Sequence, residues 1–159
     1  MNAASATGSS ANNRKSRMMK SNPMPAQAPT QAFRLSVAAS AATNAGMLAD
    51  HGQRLDEAID LVQRALKIEP TNPSFLDSLG WAYFRQGKLE LADPPLTQAA
   101  ERLPTSSAVN EHLGDLRFKQ ERYDDAVAAF ERSLAGDGES IDRAKIEKKV
   151  RDARQRVKR

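Results

Sequence analysis

The chain has 159 residues and a formal net charge of +4, which leaves room for one ordinary domain with tails rather than two independent cores. Hydrophobic residues make up 40% of the chain and aromatic residues only 5%, a composition that favours helices over β-strands. The absence of cysteine excludes disulfides, thiolate metal sites and a cysteine nucleophile, and no apolar run reaches the roughly 18 residues of a membrane-spanning helix.

The N-terminal segment is basic and of low complexity. Residues 1–49 contain five basic residues and no acid, residues 141–159 carry +6, and the body between them therefore carries −7. Residues 1–32 are rich in Ser, Asn, Ala and Pro, so we expect a disordered tail. The tail loosely resembles an organelle transit segment but has no clear amphipathic helix and no secretory hydrophobic segment. We expect a cytoplasmic location, with organelle targeting left open.

After the tail, the sequence repeats at a constant spacing, because the interval from Gly46 to Gly80 recurs from Gly80 to Gly114. Small residues recur at the same spacing further along each repeat, at Ala58, Ala92 and Ala126. Hydrophobic periodicity predicts helix pairs at 33–51 with 54–69, 73–86 with 89–103, and 107–120 with 123–135. We expect Gly80 and Ala92 to face each other where the two helices of the middle pair approach closely.

The pattern Trp/Leu, Gly, Tyr, Ala, Phe/Leu, Ala, Pro at this period resembles the tetratricopeptide repeat over residues 39–138. The stretch "MLADHGQRLDEAIDLVQRALKIEPTNPSFLDSLGWAYFRQGKLELA", followed by "EHLGD", is similar to the C-terminal end of longer bacterial proteins of this family. The resemblance implies an all-α solenoid of three helix-turn-helix units within residues 33–138, at about 39–72, 73–106 and 107–138.

The first unit departs from the pattern. It has Ala42 and Ala45 where the middle unit has Leu76 and Leu79, so its first helix is expected to be the least stable. An incomplete unit leaves apolar residues in need of cover, and this keeps self-association open as an alternative. The residues concerned include Phe33, Leu35 and Val37.

The second helix of the middle unit contains two adjacent prolines, Pro94 and Pro95. A proline inside a helix costs about 3 kcal/mol. We therefore predict a kinked helix or a late-starting one, the latter with Asp93 as N-cap and Pro94 at the first helical position.

The C-terminal segment, residues 139–159, is predicted to be a basic amphipathic helix that caps the array. Its clustered Lys and Arg leave an alternative in which this helix and the tail attach the protein to nucleic acid or an anionic membrane surface. The segment lacks the aromatic residues of single-strand binders, and the acidic body repels a polyanion. We do not expect nucleic acid or a membrane as the principal partner.

No constellation of residues indicates catalysis. His51 and His112 lie in different repeats and do not match a metal-ligand spacing. Phosphate-binding glycine loops and nucleophile motifs are absent from the sequence. We expect no enzyme activity, no catalytic residue, no metal and no cofactor.

The first helices of successive units line the groove of a repeat array, and they offer aromatic and charged residues of both signs. The resemblance therefore implies a protein-interaction module, a scaffold or adaptor, that binds a peptide or protein segment. The candidate groove residues are Met47, Asp77, Trp81, Phe84, Arg85, Glu111, Asp115, Phe118 and Lys119. An alternative for Trp81 and Phe84 is packing against the neighbouring repeat.

The charges of the groove leave the partner's own charge open. Asp77, Glu111 and Asp115 favour a basic residue in the partner, whereas Arg85 and Lys119 suit an acidic side chain. Family co-chaperones that clamp a chaperone's C-terminal carboxylate use Lys and Asn one turn apart. Acidic and aromatic residues stand at the matching positions here, so that clamp is not expected.

Overall fold

The computed structural model describes residues 54–137 and 141–158, and these residues form six helices and no strand. The helices are α1 Leu55–Leu66, α2 Pro73–Arg85, α3 Leu89–Arg102, α4 Ser107–Lys119, α5 Tyr123–Ala135 and α6 Arg143–Val157. The predicted all-α fold is confirmed over this part of the chain. The predicted tail, the first helix of the first unit and Met47 lie outside the described residues.

The helices form a linear array in which each packs on its neighbours along the chain. The closest pairs are α2 with α3 and α4 with α5, which are the helix pairs of the second and third units. The helix α6 is the last described helix and packs on α5, as predicted for a capping helix. The first helices of the two units, α2 and α4, also touch each other.

Side-chain caps determine where α2, α4 and α6 begin. The side chain of Asn72 accepts hydrogen bonds from the backbone N–H groups of Ser74 and Phe75 at 3.0 and 3.3 Å, and Pro73 occupies the first helical position. Ser106 and Asp142 cap α4 and α6 in the same way. These caps satisfy N–H groups that have no partner within the helix.

Glycine permits the closest approach between paired helices. A Cβ added to Gly80 would lie 2.5 Å from Cγ of Leu96 and 3.1 Å from the carbonyl oxygen of Ala92 on α3. The same relation recurs in the third unit, where a Cβ on Gly114 would lie 2.4 Å from the ring of Phe130. The predicted contact between Gly80 and the Ala92 region is confirmed.

The predicted late start of α3 is wrong. The helix begins at Leu89 and runs for 14 residues with Pro94 and Pro95 inside it. With Asp93 as N-cap, Pro95 would have no N–H to donate to it, and only the N–H of Leu96 would be available for the cap. The turn before the prolines also carries Ala92, which is fully buried against α2, so a later start would lose this contact.

The carboxylate of Asp93 instead joins the second unit to the third. It accepts hydrogen bonds from Nη2 of Arg117 at 2.9 Å and from Nε2 of Gln120 at 3.0 Å, both at the end of α4. Arg117 is buried and also donates to Oγ1 of Thr97 at 2.8 Å. The guanidinium of Arg117 outweighs the effect of burial and lowers the pKa of Asp93 from 3.8 to about 2.

We expect Gly80→Ala to lower the free energy of unfolding by about 1–3 kcal/mol, because a methyl group overlaps the buried Leu96 side chain. This loss exceeds the roughly 1 kcal/mol that Ala gains in helix propensity. Urea denaturation measures the change, with Ser78→Ala on the same helix as the control. Equal stability of the two variants would contradict the close contact.

We expect Asp93→Asn to lower the free energy of unfolding at pH 7 by about 1–2 kcal/mol, since the folded-state pKa of Asp93 lies below its unfolded value and solvent partly screens the pair. This contribution is present above pH 4 and is lost as the pH falls through 2. Denaturation at pH 7, 4 and 2.5 therefore shows the gap between wild type and variant closing in acid. The control is Asp60→Asn, whose side chain is 69% exposed. A gap that stays constant with pH contradicts the assignment.

Candidate functional site

Three helices present one continuous stripe of side chains, which we call the groove face. It consists of Asp77, Trp81 and Arg85 on α2, Glu111, Asp115 and Lys119 on α4, and Lys145 and Lys149 on α6. The members on each helix are four residues apart and so lie on one side of it. Members on neighbouring helices are separated by the repeat spacing, which arranges them in rows across the array.

One contact at the groove face joins α2 to α4 through Asp77 and His112. Nδ1 of His112 lies 2.9 Å from Oδ1 of Asp77, and the His112 ring stacks on the Trp81 ring with centroids 4.1 Å apart. The side chain of Asp77 is 16% exposed. Asp77 is therefore engaged within the array rather than presented alone to a partner.

Trp81 is the centre of an aromatic cluster. Besides His112, its ring stacks on Phe84 with centroids 4.9 Å apart, and the Arg85 guanidinium carbon lies 5.8 Å from the ring centroid. Phe84 also packs against the core between the two units. Both rings therefore pack against the neighbouring repeat, which is the alternative raised for them from the sequence. Trp81 also stays partly exposed on the groove face.

The second contact joins α4 to the capping helix. Nζ of Lys149 lies 2.7 Å from a carboxylate oxygen of Glu111 and 2.7 Å from one of Asp115, and Nζ of Lys145 lies 3.4 Å from Glu111. Burial raises the pKa of Glu111, but Lys149 and Lys145 outweigh it, and the pKa lies below its usual value. At Asp115 burial prevails over Lys149, so its pKa is raised.

The remaining candidates are Phe118 and Lys119, of which only Lys119 belongs to the groove face. Phe118 packs with the core between α5 and α6 and meets the ring of Tyr123 edge-on at 5.4 Å, so it belongs to the packing of the cap rather than to the groove face. Lys119 is exposed at the end of its helix. The sequence reasoning missed Lys145 and Lys149, although both continue the repeat spacing from Glu111 and Asp115.

Comparison with known proteins places this architecture in a family. The family model of the tetratricopeptide repeat matches residues 26–73 and 78–141. The chain belongs to the tetratricopeptide repeat family. A tetratricopeptide repeat protein of Pseudomonas aeruginosa is 46% identical over 68 residues, which is 43% of this chain and only 11% of that protein. The chain thus spans a small part of that relative's length.

Solved structures of tetratricopeptide repeat domains share the fold. The Sgt2 domain from Aspergillus fumigatus has a TM-score of 0.66 at 24% identity, covering 76% of this chain and 79% of that one. The first such domain of Spaghetti (RPAP3), bound to an HSP90 peptide, has a TM-score of 0.68 at 21% identity, covering 79% of this chain and 96% of that one. These similarities establish the repeat fold.

Several basic residues of the capping helix contact neighbouring helices of the array. Besides Lys145 and Lys149, Arg154 pairs with Glu131 on α5, and Arg143 donates to the carbonyl oxygen of Leu134 at 2.9 Å. Part of the positive charge that the sequence offers to a polyanion is therefore paired with carboxylates of neighbouring helices.

Two other kinds of site do not occur in the described residues. Residues 54–137 and 141–158 contain no group of three or more His, Asp or Glu placed to hold a metal ion. Within the same ranges, no helix is both long and apolar enough to cross a membrane.

We expect Lys149→Gln to lower the free energy of unfolding by about 1–3 kcal/mol, because it leaves two half-buried carboxylates without their shared cation. The matched control is Lys148→Gln, where a side chain 73% exposed pairs with Asp152 on the same helix. That change is expected to cost less than about 0.5 kcal/mol. Urea denaturation at pH 7 compares the two, and equal losses would contradict a stabilising role for Lys149.

Proposed function

We propose that the protein is a non-enzymatic interaction module that binds a peptide or protein segment along the groove face and acts as a scaffold or adaptor. The observation that carries this proposal is the groove face itself. Three neighbouring helices bring a partly exposed indole and rows of charged side chains onto one side of the array. Such a surface supplies both apolar contact and orientation for an extended segment.

The family supports the same function. Stacked helix pairs in repeat arrays create extended binding surfaces lined by the first helix of each unit, which is where the groove face lies. The structurally similar domain of Spaghetti (RPAP3) holds an HSP90 peptide, which illustrates that this fold accommodates a peptide. We place the module in the cytoplasm as part of the proposal.

The alternative of a nucleic-acid or membrane-surface adaptor receives less support. It depends on free positive charge on α6, but Lys145, Lys149 and Arg154 of that helix pair with carboxylates of α4 and α5. The pairing reduces the charge available to phosphate groups.

A peptide selection tests the proposed function. The full chain is immobilised and exposed to a displayed library of random 16-residue peptides at physiological salt. The selected peptides are then titrated into isotopically labelled protein, and amide chemical shifts are recorded. We expect the largest shifts at groove-face residues of α2 and α4, and about a tenfold weaker binding for Arg85→Ala.

Arg102→Ala is the control, because Arg102 occupies the last turn of α3 as Arg85 occupies the last turn of α2. Circular dichroism verifies that both variants keep their helix content. A selection that yields no binder, or binders whose shifts lie on α3 and α5, would contradict the proposed function.

A further inference from the structure

One turn of α3 joins α2 and α4, the two helices that carry most of the groove face. Ala92 and Leu96 of this turn lie against Gly80 of α2, where the paired helices approach most closely. Asp93 and Thr97, which directly follow them in the chain, bind α4 instead. The helix α3 therefore connects α2 with α4 through two adjacent sets of side chains.

The contact between α3 and α4 is made by a buried guanidinium. Among residues 54–137 and 141–158, Arg117 is the only charged residue that is buried. Its two terminal nitrogens bind both carboxylate oxygens of Asp93. They also donate to Oγ1 of Thr97 and to Oε1 of Gln120, each at 2.8 Å. This bidentate geometry restricts both the distance and the rotation between the groups that it joins, which a point charge does not do.

The equivalent positions at the other junctions of the array carry no such contact. At the junction of α1 with α2, the repeat spacing places Ile59 and Tyr83 where α3 and α4 have the carboxylate and the guanidinium. At the junction of α5 with α6, Arg154 pairs with Glu131 at the surface, where the side chains are 59% and 48% exposed. Of these three junctions in the described part of the chain, only that of α3 with α4 contains a buried charge.

A buried ion pair is a poor means of stabilising a fold. Desolvation of the two charges offsets much of their attraction, so apolar residues of similar size often give equal or greater stability. The hydrogen bonds of a guanidinium are nevertheless directional, and they restrict the orientation of the elements that they join. At the junction of α3 with α4, this restriction acts on the placement of α4 against α2.

The groove face depends on that placement. The ring of His112 on α4 stacks on the ring of Trp81 on α2, with centroids 4.1 Å apart and an angle of 14° between the ring planes. Nδ1 of His112 also lies 2.9 Å from Oδ1 of Asp77. A rotation of α4 would disturb both contacts, because each requires short distances and particular angles. It would therefore change the shape and the charge that the groove face presents to a partner.

We propose that Arg117 is a positioning residue for the groove face. By binding Asp93 and Thr97 it holds the orientation of α4 against α2, and it thereby raises the affinity for a bound peptide that it does not contact. The side chain of Arg117 is only 9% exposed, so little of it is accessible to a partner. This proposal rests on the proposed function and adds to it a residue that lies outside the groove face.

Apolar replacement of the whole pair separates positioning from stability. The double variant Asp93→Leu, Arg117→Met removes both charges together and leaves neither buried without its partner, so we expect its urea denaturation midpoint to stay near that of the wild type. The matched control is Glu131→Leu, Arg154→Met, which removes an exposed ion pair from the junction of α5 with α6. A third variant, Arg117→Lys, keeps the charge but loses the bidentate contact.

The binding probe is a fluorescein-labelled peptide that has been selected on the wild-type chain from the random 16-residue library. Fluorescence anisotropy gives its affinity for each protein. We expect binding to be at least about tenfold weaker for the double variant, about threefold weaker or more for Arg117→Lys, and within about twofold of wild type for the control. A role in stability alone predicts unchanged affinity in every folded variant, because nearly all molecules of such a variant are folded under native conditions.

Residual dipolar couplings provide a readout that does not depend on a peptide. Backbone amide couplings of the pairs α2–α3 and α4–α5 report how the two pairs are oriented in solution. We expect one common alignment of the two pairs in the wild type and the control, and a changed or averaged alignment in the double variant and in Arg117→Lys. The indole N–H resonance of Trp81, the only tryptophan of the chain, should shift with it because His112 stacks on that ring.

Distinct results would overturn the proposal. Unchanged affinity in the folded double variant refutes a positioning role, and equal losses in the double variant and the control assign the effect to any ion pair between helices. Weaker binding with an unchanged helix orientation would indicate that the peptide contacts Arg117 directly. If the double variant does not fold, Arg117→Lys decides, and wild-type affinity in that variant refutes the proposal. A selection without any groove-directed binder refutes the proposed function itself, whereas the couplings still test the orientation of α4.

Discussion

The close approach of paired helices at glycine is the constraint from which the rest of the array follows. At Gly80 the backbone of α2 lies so near α3 that no methyl group fits, and Gly114 has the same relation to Phe130 on α5. Since this contact recurs at the repeat spacing, the two units have the same geometry and their first helices stack in register. This register aligns Asp77 with Glu111 and Arg85 with Lys119. The groove face therefore depends on the glycine contacts within the two helix pairs.

Polar contacts then join elements that are far apart in the chain. Asp93 binds Arg117 across the junction between the second and third units. Within the third unit, Oγ of Ser133 donates to the carbonyl oxygen of Ser107 at 2.7 Å, and the backbone N–H of Ser107 donates to Asp137 at 3.1 Å. These hydrogen bonds are directional and partly buried, so they specify one arrangement of helices that otherwise pack through interchangeable apolar side chains.

The sequence predicts most of the fold because the repeat encodes it locally. Glycine spacing, the helix pairs and the amphipathic final helix are all readable from one chain, and the described helices agree with those expectations. The start of α3 is not readable in this way. The low helix propensity of Pro94 and Pro95 argues against a continuous helix. The burial of Ala92 against α2 nevertheless favours a helical turn before the prolines, so the helix begins at Leu89.

The groove face is harder to predict, because its side chains interact with residues on other helices. Reading α4 alone, Glu111 and Asp115 are two acidic residues on an exposed stripe, and nothing local identifies Lys149 as their partner. Trp81 likewise has a neighbour, His112, that lies on another helix. Extending the repeat spacing into the final helix would have revealed the lysines, since Lys145 and Lys149 fall in the same rows.

The last described helix contributes to the charge of the groove face as well as to the packing of the array. The groove face holds four basic and three acidic residues, and two of the four basic ones, Lys145 and Lys149, belong to α6. If α6 detaches, the remaining surface has more acids than bases, and Glu111 and Asp115 lose the cation that holds them. The charge balance of the groove face therefore depends on the packing of α6 on α5, because α6 supplies half of its basic residues.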